Sequence, residues 1–492
     1  MSFRDATVVI IETSRTAIRA GHGLHELLKI PAVEIQARVG IRKSVLNGDA
    51  GGQTNGRPQS TPSTSRTSSL PFNSSPNVSV NDYLVGNQLD EALAAGQEIA
   101  LSWPFADGGV RDWTQAEALW KYVLFNQLQV RRVQNESPVL LSMGAGLSRD
   151  QYERICQIFF ERFNVAGFGI LERPMAQMYS TTSLNGIIVD IDVEKTDITS
   201  VYEGFIIRNA CTTVSLGTQD CQNYLAHLLH SNQSVVSALS PPEAPLEPEA
   251  LRGTLVELVK QVWEEGHIKV PSDGEMVAVE DEGITDIAAI VVAGKEKAVI
   301  ESGMKKKATA KASAAEQARA KEIEALDLIT VQFRDKSVTL GKERHRFCEP
   351  LFEPNVLRSI PGYSSDVPIS VHEAINLAVK NVDFDLRQYL WPCVFVTGSV
   401  TTKVKGPFIS LLPDDHPHSV IVGIGVALQS RLGVYMHNGD LQTDIQPRVV
   451  RLLGLPEYYP EYRDTGEGYA AFLGSSITAK VSFFLHCLQT CL

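Results

Sequence analysis

The chain has 492 residues, of which 43% are hydrophobic and 21% are charged, and it carries a formal net charge of −12. A chain of this length and composition is expected to form about two to four globular domains with an ample core. The negative balance excludes attraction of nucleic acid by overall charge, and no apolar run approaches the roughly 20 residues of a membrane span.

The N-terminal segment MSFRDATVVIIETSR contains a predicted first strand and lacks the small-residue cleavage site of a signal peptide. The seven cysteines are scattered along the chain without a C-x-x-C pair. An odd cysteine count without a secretory signal predicts reduced thiols in a cytosolic or nuclear protein. The histidine pairs His22/His25 and His416/His418 have no cysteine at zinc spacing, so the sequence predicts no metal site.

A strand, an acid, a short turn and a second strand follow one another in Thr7–Gly21, where the acid is Glu12. The same order recurs in Gly186–Gly204, where the acid is Asp190. A third strand, Val394–Ser399, ends in a glycine and a serine. The repeat indicates a duplicated fold with phosphate-binding hairpins, although hairpin shape alone leaves three unrelated strand ends as the alternative.

The turn of the second hairpin carries Asp192, Val193 and Glu194 and contains no glycine. Phosphate-binding turns usually need glycine, because bare backbone N–H groups must approach the phosphate oxygens. A carboxylate about 4 Å from a phosphate costs about 4 kcal/mol at an effective dielectric constant of 20. The pattern therefore predicts the scaffold of a nucleotide site with a damaged phosphate loop.

Three helix starts are predicted from capping boxes, in which a Ser or Thr side chain and an acid or amide three residues later cap each other's backbone N–H. The pairs are Thr114/Glu117, Ser148/Gln151 and Ser370/Glu373. Each pair precedes a helix with one apolar stripe, so each helix should pack on a sheet. Strands that alternate with such helices predict the α/β class.

Two insertions interrupt this alternation. Residues 46–71 lack aromatic side chains and are dense in Ser, Thr, Gly and Pro, which predicts disorder within an insertion that spans 46–82. Residues 295–325 are rich in Lys, Ala and Glu, which predicts an exposed helix at the end of a second insertion, 240–325. Its Lys305–Lys307 run either contacts DNA, serves as an import signal, or is a solvated helix face.

Four stretches of the chain resemble actin: Trp103–Tyr179, Val331–Pro354, His372–Ser399 and Phe472–Val481. They contain motifs such as WPFADGGVRDW, FFERFNV and FLGSSITAKV. On these motifs the chain is identified as a member of the actin-related proteins, most similar to the fungal nuclear subunits of SWI/SNF and RSC chromatin remodellers. The resemblance implies an actin-like ATPase fold, with duplicated ribonuclease-H-like domains in four subdomains.

The resemblance also implies domain boundaries. Residues 1–180 would form the first lobe, including the outer subdomain with the 46–82 insertion. Residues 181–400 would form the second lobe with its 240–325 insertion. Residues 401–492 would complete the second lobe and return to the first lobe as C-terminal helices.

By resemblance, a degenerate nucleotide site comprises Glu12, Arg19, Asp190, Lys260, Gly398 and Ser399. Glu12 and Asp190 match the two magnesium-organising aspartates of the family, and Arg19 matches its phosphate-binding lysine. Lys260 matches the ribose side of the site, where the acid of a Lys-Glu pair is replaced by Gln261. Gly398 and Ser399 match the adenine-side glycines.

The catalytic positions of the family are lost. Asp197 stands where the family has its water-orienting histidine, and Glu172–Pro174 stands in the region of its catalytic glutamine. Hydrolysis needs a positioned water and stabilised oxyanions, so we expect no catalytic residue, no bound cofactor and no metal. The alternative function is a nucleotide-binding actin-like ATPase of cytoskeletal type.

The resemblance further implies a partner groove between the two large subdomains, with walls at Tyr179, Thr182, Gly204 and Phe205. Their aromatic and small side chains suit an amphipathic helix, unless they belong to the core. The implied guest is the helicase–SANT-associated helix of the remodeller ATPase, beside a second actin-related protein as a heterodimer. The implied function is a non-catalytic scaffold in the nucleus that supports transcription regulation, with other remodeller subunits as partners, indirect contact with the nucleosome and no membrane.

Overall fold

The computed structural model describes residues 8–23, 30–46, 78–133, 137–241, 245–270, 327–364, 366–401, 423–437, 449–463 and 465–489. The predicted disorder after Leu46, the predicted Lys-rich helix at 295–325, and His25, His416 and His418 lie outside these residues.

The strands, in chain order, are β1 Val9–Thr13, β2 Ala17–His22, β3 Val33–Gln36, β4 Val39–Arg42, β5 Leu84–Val85, β6 Ile99–Ser102, β7 Val139–Met143, β8 Phe168–Glu172, β9 Gly186–Ile191, β10 Thr196–Tyr202, β11 Phe205–Ile206, β12 Thr212–Val214, β13 Ile329–Phe333, β14 Lys336–Leu340, β15 Val394–Gly398 and β16 Leu452–Leu453.

The α-helices are α1 Lys43–Leu46, α2 Asn87–Ala94, α3 Trp113–Lys121, α4 Arg149–Gln157, α5 Arg173–Ser180, α6 Thr218–His230, α7 Gln233–Leu239, α8 Pro248–Glu264, α9 Glu349–Phe352, α10 Val371–Lys380, α11 Phe384–Leu390, α12 Ile424–His437, α13 Pro460–Arg463 and α14 Ala470–Gln489. The helices α3 and α4 continue as π-helical turns over Tyr122–Gln127 and Ile158–Arg162.

Two sheets share one design. The first has strand order β3-β2-β1-β7-β8, in which β1 and β2 form an antiparallel hairpin and β7 and β8 continue parallel to β1. The second has order β11-β10-β9-β15-β16, in which β9 and β10 form the hairpin and β15 and β16 run parallel to β9. This recurrence confirms the α/β fold with a duplicated hairpin motif that the sequence predicts.

The hairpin strands form where they do because their side chains suit complete burial. Every residue of β1 and of β9 is buried, and both strands consist mainly of Val and Ile. Such runs are typical of a strand with neighbours on both sides and covered faces. The acid that ends each run, Glu12 or Asp190, is therefore carried into a buried position.

Each sheet has its own core. The first core includes Trp120, whose ring centroid lies 5.4 Å from that of Phe105 and 5.5 Å from that of Phe159. The second core includes the buried side of α8, where Leu255, Leu258 and Val262 recur at helical spacing. By contacts the chain divides into two compact units, Met1–Ala176 with Ala471–Leu492, and Gln177–Ala470.

Two of the three predicted capping boxes are confirmed. Ser148 and Ser370 each accept a hydrogen bond from the backbone N–H three residues later, and Gln151 and Glu373 cap them in return. The box at Thr114 is wrong, because the N-cap of α3 is Asp112, whose carboxylate accepts from the N–H groups of Thr114 and Gln115. Asp is as good an N-cap as Ser and a better one than Thr, and it begins the helix earlier.

The last residues of the predicted 46–82 insertion are among those that the structure describes. Val80–Asp82 forms a 3-10 turn, and the Asp82 carboxylate accepts from Ser79 N over 2.7 Å. Within the described ranges, no helix is both long and apolar enough to cross a membrane.

Candidate functional site

Glu12, at the end of β1, is 1% exposed and is held by two arginines. Arg19 of β2 donates to Glu12 Oε1 over 3.4 Å, and Arg173 at the start of α5 donates from Nε to the same oxygen over 3.0 Å. Arg19 also donates from Nε to Glu34 of β3 over 2.9 Å. The carboxylate predicted to organise a cation is therefore already neutralised, and the predicted phosphate-binding cation is directed at two carboxylates.

The turn between β1 and β2 satisfies its own backbone donors. Ser14 Oγ accepts from the backbone N–H of Ala17 over 3.0 Å and of Thr16 over 3.4 Å. The Ser14 N–H donates in turn to Ala17 O over 2.9 Å. These are the groups that a phosphate-binding turn would present to its ligand.

The turn between β9 and β10 is closed in the same way by an acid. Asp192 is buried, and its Oδ1 accepts from the N–H of Val193 over 2.9 Å. The carbonyls of Asp192 and Val193 accept from Thr218 N and Gln219 N, over 3.1 and 2.9 Å. The turn is thereby bonded to the first residues of α6, whose N–H groups have no partner within their own helix.

Three of the predicted site residues meet at the carboxyl ends of β9 and β15. Asp190 is 5% exposed and accepts from Gln177 Nε2 over 2.8 Å, and Ser399 Oγ donates to Ile191 O over 3.0 Å. Gly398 has φ of +106°, and a Cβ there would lie 2.7 Å from Asp190 Oδ1 and in collision with Ile191 O. Glycine is required at this position by both the backbone angle and the space.

The remaining predicted positions have other partners. Lys260 lies on the exposed side of α8, where its Nζ is 3.8 Å from Glu264 Oε1. Asp197 accepts from Thr213 Oγ1 over 2.6 Å, across the β10–β12 pair. Glu172 accepts from Tyr152 OH over 3.4 Å. Among the described residues, no group of three His, Cys, Asp or Glu side chains is arranged to hold a metal ion.

The four predicted groove residues lie close together at the end of α5 and the β10–β11 turn. Phe205 is 76% exposed, which excludes the alternative that it is a core residue. Gly204 has φ of +76°, and a Cβ there would lie 3.7 Å from Tyr179 OH and from Leu184 Cδ2. Thr182 is exposed and follows Tyr179, which is half-buried.

Further apolar side chains extend this surface. Leu184 is 54% exposed and Tyr389 of α11 is 46% exposed. The ring centroid of Tyr389 lies 5.5 Å from that of Tyr202, which pairs with Phe205 across the β10–β11 turn. We define the groove patch as Tyr179, Thr182, Leu184, Tyr202, Gly204, Phe205 and Tyr389.

Sequence reasoning missed four residues that shape these sites. Arg173 and Gln177 act through contacts with residues distant in the chain, which no local pattern predicts. The Ser14 contacts are local, because they span only two or three residues. No pattern in the sequence singled out Tyr389.

Comparison with known proteins gives the family. Residues 4–406 match the model of the actin family. A subunit named arp9 of the SWI/SNF and RSC complexes of Schizosaccharomyces pombe is 27% identical, with 98% of this chain and 95% of that protein aligned. The protein named actin-29 of Dictyostelium discoideum is 24% identical, with 68% of this chain and 71% of that protein aligned. The family model covers most of the chain, and the two sheets repeat one hairpin design; the chain belongs to the actin family.

Proposed function

We propose that this chain is a non-catalytic, actin-related scaffold subunit of a SWI/SNF- or RSC-type chromatin remodelling complex. The observation that carries the proposal is the similarity to the Schizosaccharomyces pombe subunit, which runs along 98% of this chain and 95% of that protein. Membership of such a complex implies a nuclear location and other remodeller subunits as partners. Contact with the nucleosome would then be indirect, and the role would be to support transcription regulation.

The contacts of the two hairpins support the absence of catalysis. The Ser14 hydroxyl and the Asp192 carboxylate take up turn N–H groups that would otherwise face phosphate oxygens. Asp192 would also repel a phosphate, because burial weakens solvent screening of its charge. Hydrolysis of a nucleotide depends on positioning and on stabilised oxyanions, and these turns are arranged for neither.

The residues of the first hairpin do not fit a magnesium-bound nucleotide. Arg19 and Arg173 supply, at Glu12, the positive charge that a divalent cation would supply. A divalent cation at Glu12 would lie beside these two guanidinium groups, whose positive charge would repel it. We therefore propose that the chain takes no nucleotide or metal as a resident cofactor.

The groove patch supports helix binding. An exposed aromatic residue, Phe205, is flanked by Leu184 and Tyr389 and by the small residues Gly204 and Thr182. Exposed apolar patches of this kind mark protein interaction sites, and an amphipathic helix places its apolar side chains at the spacing such a groove needs. We propose the helicase–SANT-associated helix of the remodeller ATPase as the guest, bound together with a second actin-related protein.

The alternative function, a nucleotide-binding ATPase of cytoskeletal type, has its support in Asp190 and Gly398, which keep the family pattern. The internal contacts of Ser14, Asp192 and Glu12 favour the scaffold instead.

The test is a pull-down of the purified chain with the helical segment of the remodeller ATPase. Phe205→Asp should abolish capture, because an aromatic anchor in such a groove typically contributes about 2 kcal/mol or more. Val133→Asp is the matched control, since Val133 is 78% exposed and lies outside the groove patch. Circular dichroism should give the same folded spectrum for both variants.

If the Phe205→Asp variant still captures the helical segment, the groove patch is not its binding site. If the wild-type chain and the Val133→Asp control are both folded but neither captures the helical segment, the proposed assembly role itself would be contradicted.

A further inference from the structure

A groove of about 630 Å³ lies in the first unit. Its walls are the segment Val78–Asn81, helix α3, and helix α4 with its π-helical continuation. A volume of this size is within the range of small-ligand and peptide sites. Neither the nucleotide positions nor the groove patch contributes a residue to it.

The floor of this groove is apolar. Ile158 and Phe163 are buried at its base, and Trp113 and Phe125 are partly buried against the same core. The Phe125 and Phe163 rings meet edge to face with centroids 5.7 Å apart. The floor can therefore receive one aliphatic or aromatic side chain.

The rim of the groove is mostly basic. Four cationic side chains line it, Lys121, Arg132, Arg154 and Arg162, together with two carboxylates. Arg162 pairs with Glu117 over 3.5 Å, and Glu161 accepts from Gln157 over 3.1 Å.

Among the residues that the structure describes, no acid forms an ion pair with the other three cations. Lys121 Nζ donates to the neutral Asn81 over 2.5 Å, and the guanidinium of Arg154 lies 5.8 Å from the centre of the Trp113 ring. Within the described part of the chain, the structure records no ion pair for Lys121, Arg132 or Arg154. In a chain with a net charge of −12, such a local excess of positive charge stands out.

We propose that this groove binds an acidic peptide segment of a partner protein, with one apolar side chain on the aromatic floor. The guanidinium groups of Arg132 and Arg154 can each bind a carboxylate through two parallel N–H donors. This inference does not depend on the proposed remodeller role.

Nucleic acid is the other polyanion that a basic groove could attract, but the apolar floor of the groove argues against it. The apolar floor offers contact area that a carboxylate-rich peptide with a Leu or Phe uses and a backbone of phosphates does not.

The test uses fluorescence polarisation with the full chain and a fluorescein-labelled peptide, Asp-Glu-Phe-Asp-Glu-Leu. A second peptide has the acids replaced by Asn and Gln, and a thymidine hexanucleotide serves as the nucleic-acid probe. We expect the acidic peptide to bind at least about tenfold more tightly than the neutral one, and to weaken as salt is raised.

Arg132→Gln and Arg154→Gln should each weaken binding of the acidic peptide by about tenfold. Arg149→Gln is the matched control, because Arg149 is also on α4 but pairs with Glu153 over 2.8 Å and does not line the groove. Equal affinity for the two peptides, or an equal effect of all three variants, would overturn the proposal. Tighter binding of the oligonucleotide than of the peptide would assign the groove to nucleic acid instead.

Discussion

Arg173 donates from its Nε to Glu12 Oε1 over 3.0 Å, although 161 positions separate the two residues in the chain. Both side chains are nearly excluded from solvent, with 12% and 1% of their surface exposed. The bond joins the beginning of α5 to the end of β1. It places an internal cation beside the first of the two carboxylates that an actin-type nucleotide site uses.

Arg173→Ala should lower the free energy of unfolding by about 3 kcal/mol, because it leaves a buried carboxylate with one fewer guanidinium partner. Urea unfolding followed by tryptophan fluorescence measures the change. Addition of Glu12→Gln to this variant should restore part of the loss, since the uncompensated charge is then removed.

The control for Arg173 is Arg149→Ala, which breaks an ion pair whose arginine side chain is 90% exposed. Exposed pairs contribute less than about 1 kcal/mol. Equal losses for the two arginine variants would show that Arg173 and Glu12 form no more than a surface contact.

Gly398→Ala should destabilise the second unit by about 2 kcal/mol or more, since the new methyl group meets Ile191 O and Asp190 Oδ1 at a strained backbone angle. Gly253→Ala provides the opposite case. It lies inside α8 with no atom within 4 Å of a Cβ, so it should raise stability by up to about 1 kcal/mol.

Thermal melts of the two glycine variants beside the wild-type chain measure these changes. A Gly398→Ala protein that melts at the wild-type temperature would contradict the geometry of the β9–β15 junction.

The chain should lose stability between pH 7 and pH 5 through His345. Its Nδ1 accepts from Lys269 N over 3.1 Å, and its Nε2 lies 2.7 Å from Asp327 Oδ2. Burial, with a contribution from the Arg344 charge, lowers the pKa of His345 below its ordinary value of 6.5, although Asp327 opposes the shift. As pH falls below 6.5, the unfolded chain binds the proton first, so stability is present above this pH and declines below it.

Thermal melts at pH 7, 6 and 5 of the wild-type chain and of His345→Gln measure this effect. The melting temperature of the wild-type chain should fall more steeply over this range than that of the variant. Parallel curves for the two proteins would show that His345 titrates alike in the folded and unfolded states.

The parts of the fold that depend on residues close together in the chain could be predicted from the sequence. The two hairpins are predicted because a β-branched run, an acid and a turn recur in Thr7–Gly21 and Gly186–Gly204. The helix starts at Ser148 and Ser370 are predicted because the capping contact spans only three residues. At α3 the same pattern selected Thr114 wrongly. Asp112 lies two residues earlier and is a stronger N-cap, so the helix begins after Asp112 instead.

The candidate sites were less accessible to sequence reasoning. The sequence shows directly that the two hairpin turns contain no glycine. It does not predict that the Ser14 hydroxyl and the Asp192 carboxylate accept hydrogen bonds from the N–H groups of these turns. The Arg173–Glu12 bond depends on how distant segments pack, which a local pattern does not encode. The roles of the nucleotide positions and of the groove patch stay predictions.

The measurement that tests the central claim most directly is hydrolysis of Mg-ATP by the purified chain, alone and with the helical segment of the remodeller ATPase. The account predicts no phosphate release above that of a reaction mixture without protein. The reason is that side chains of the β1–β2 and β9–β10 turns bind the backbone N–H groups of these turns. Asp190→Ala, which removes the carboxylate that accepts from Gln177, should leave that background unchanged. Turnover by the wild-type chain that disappears in Asp190→Ala would contradict the account.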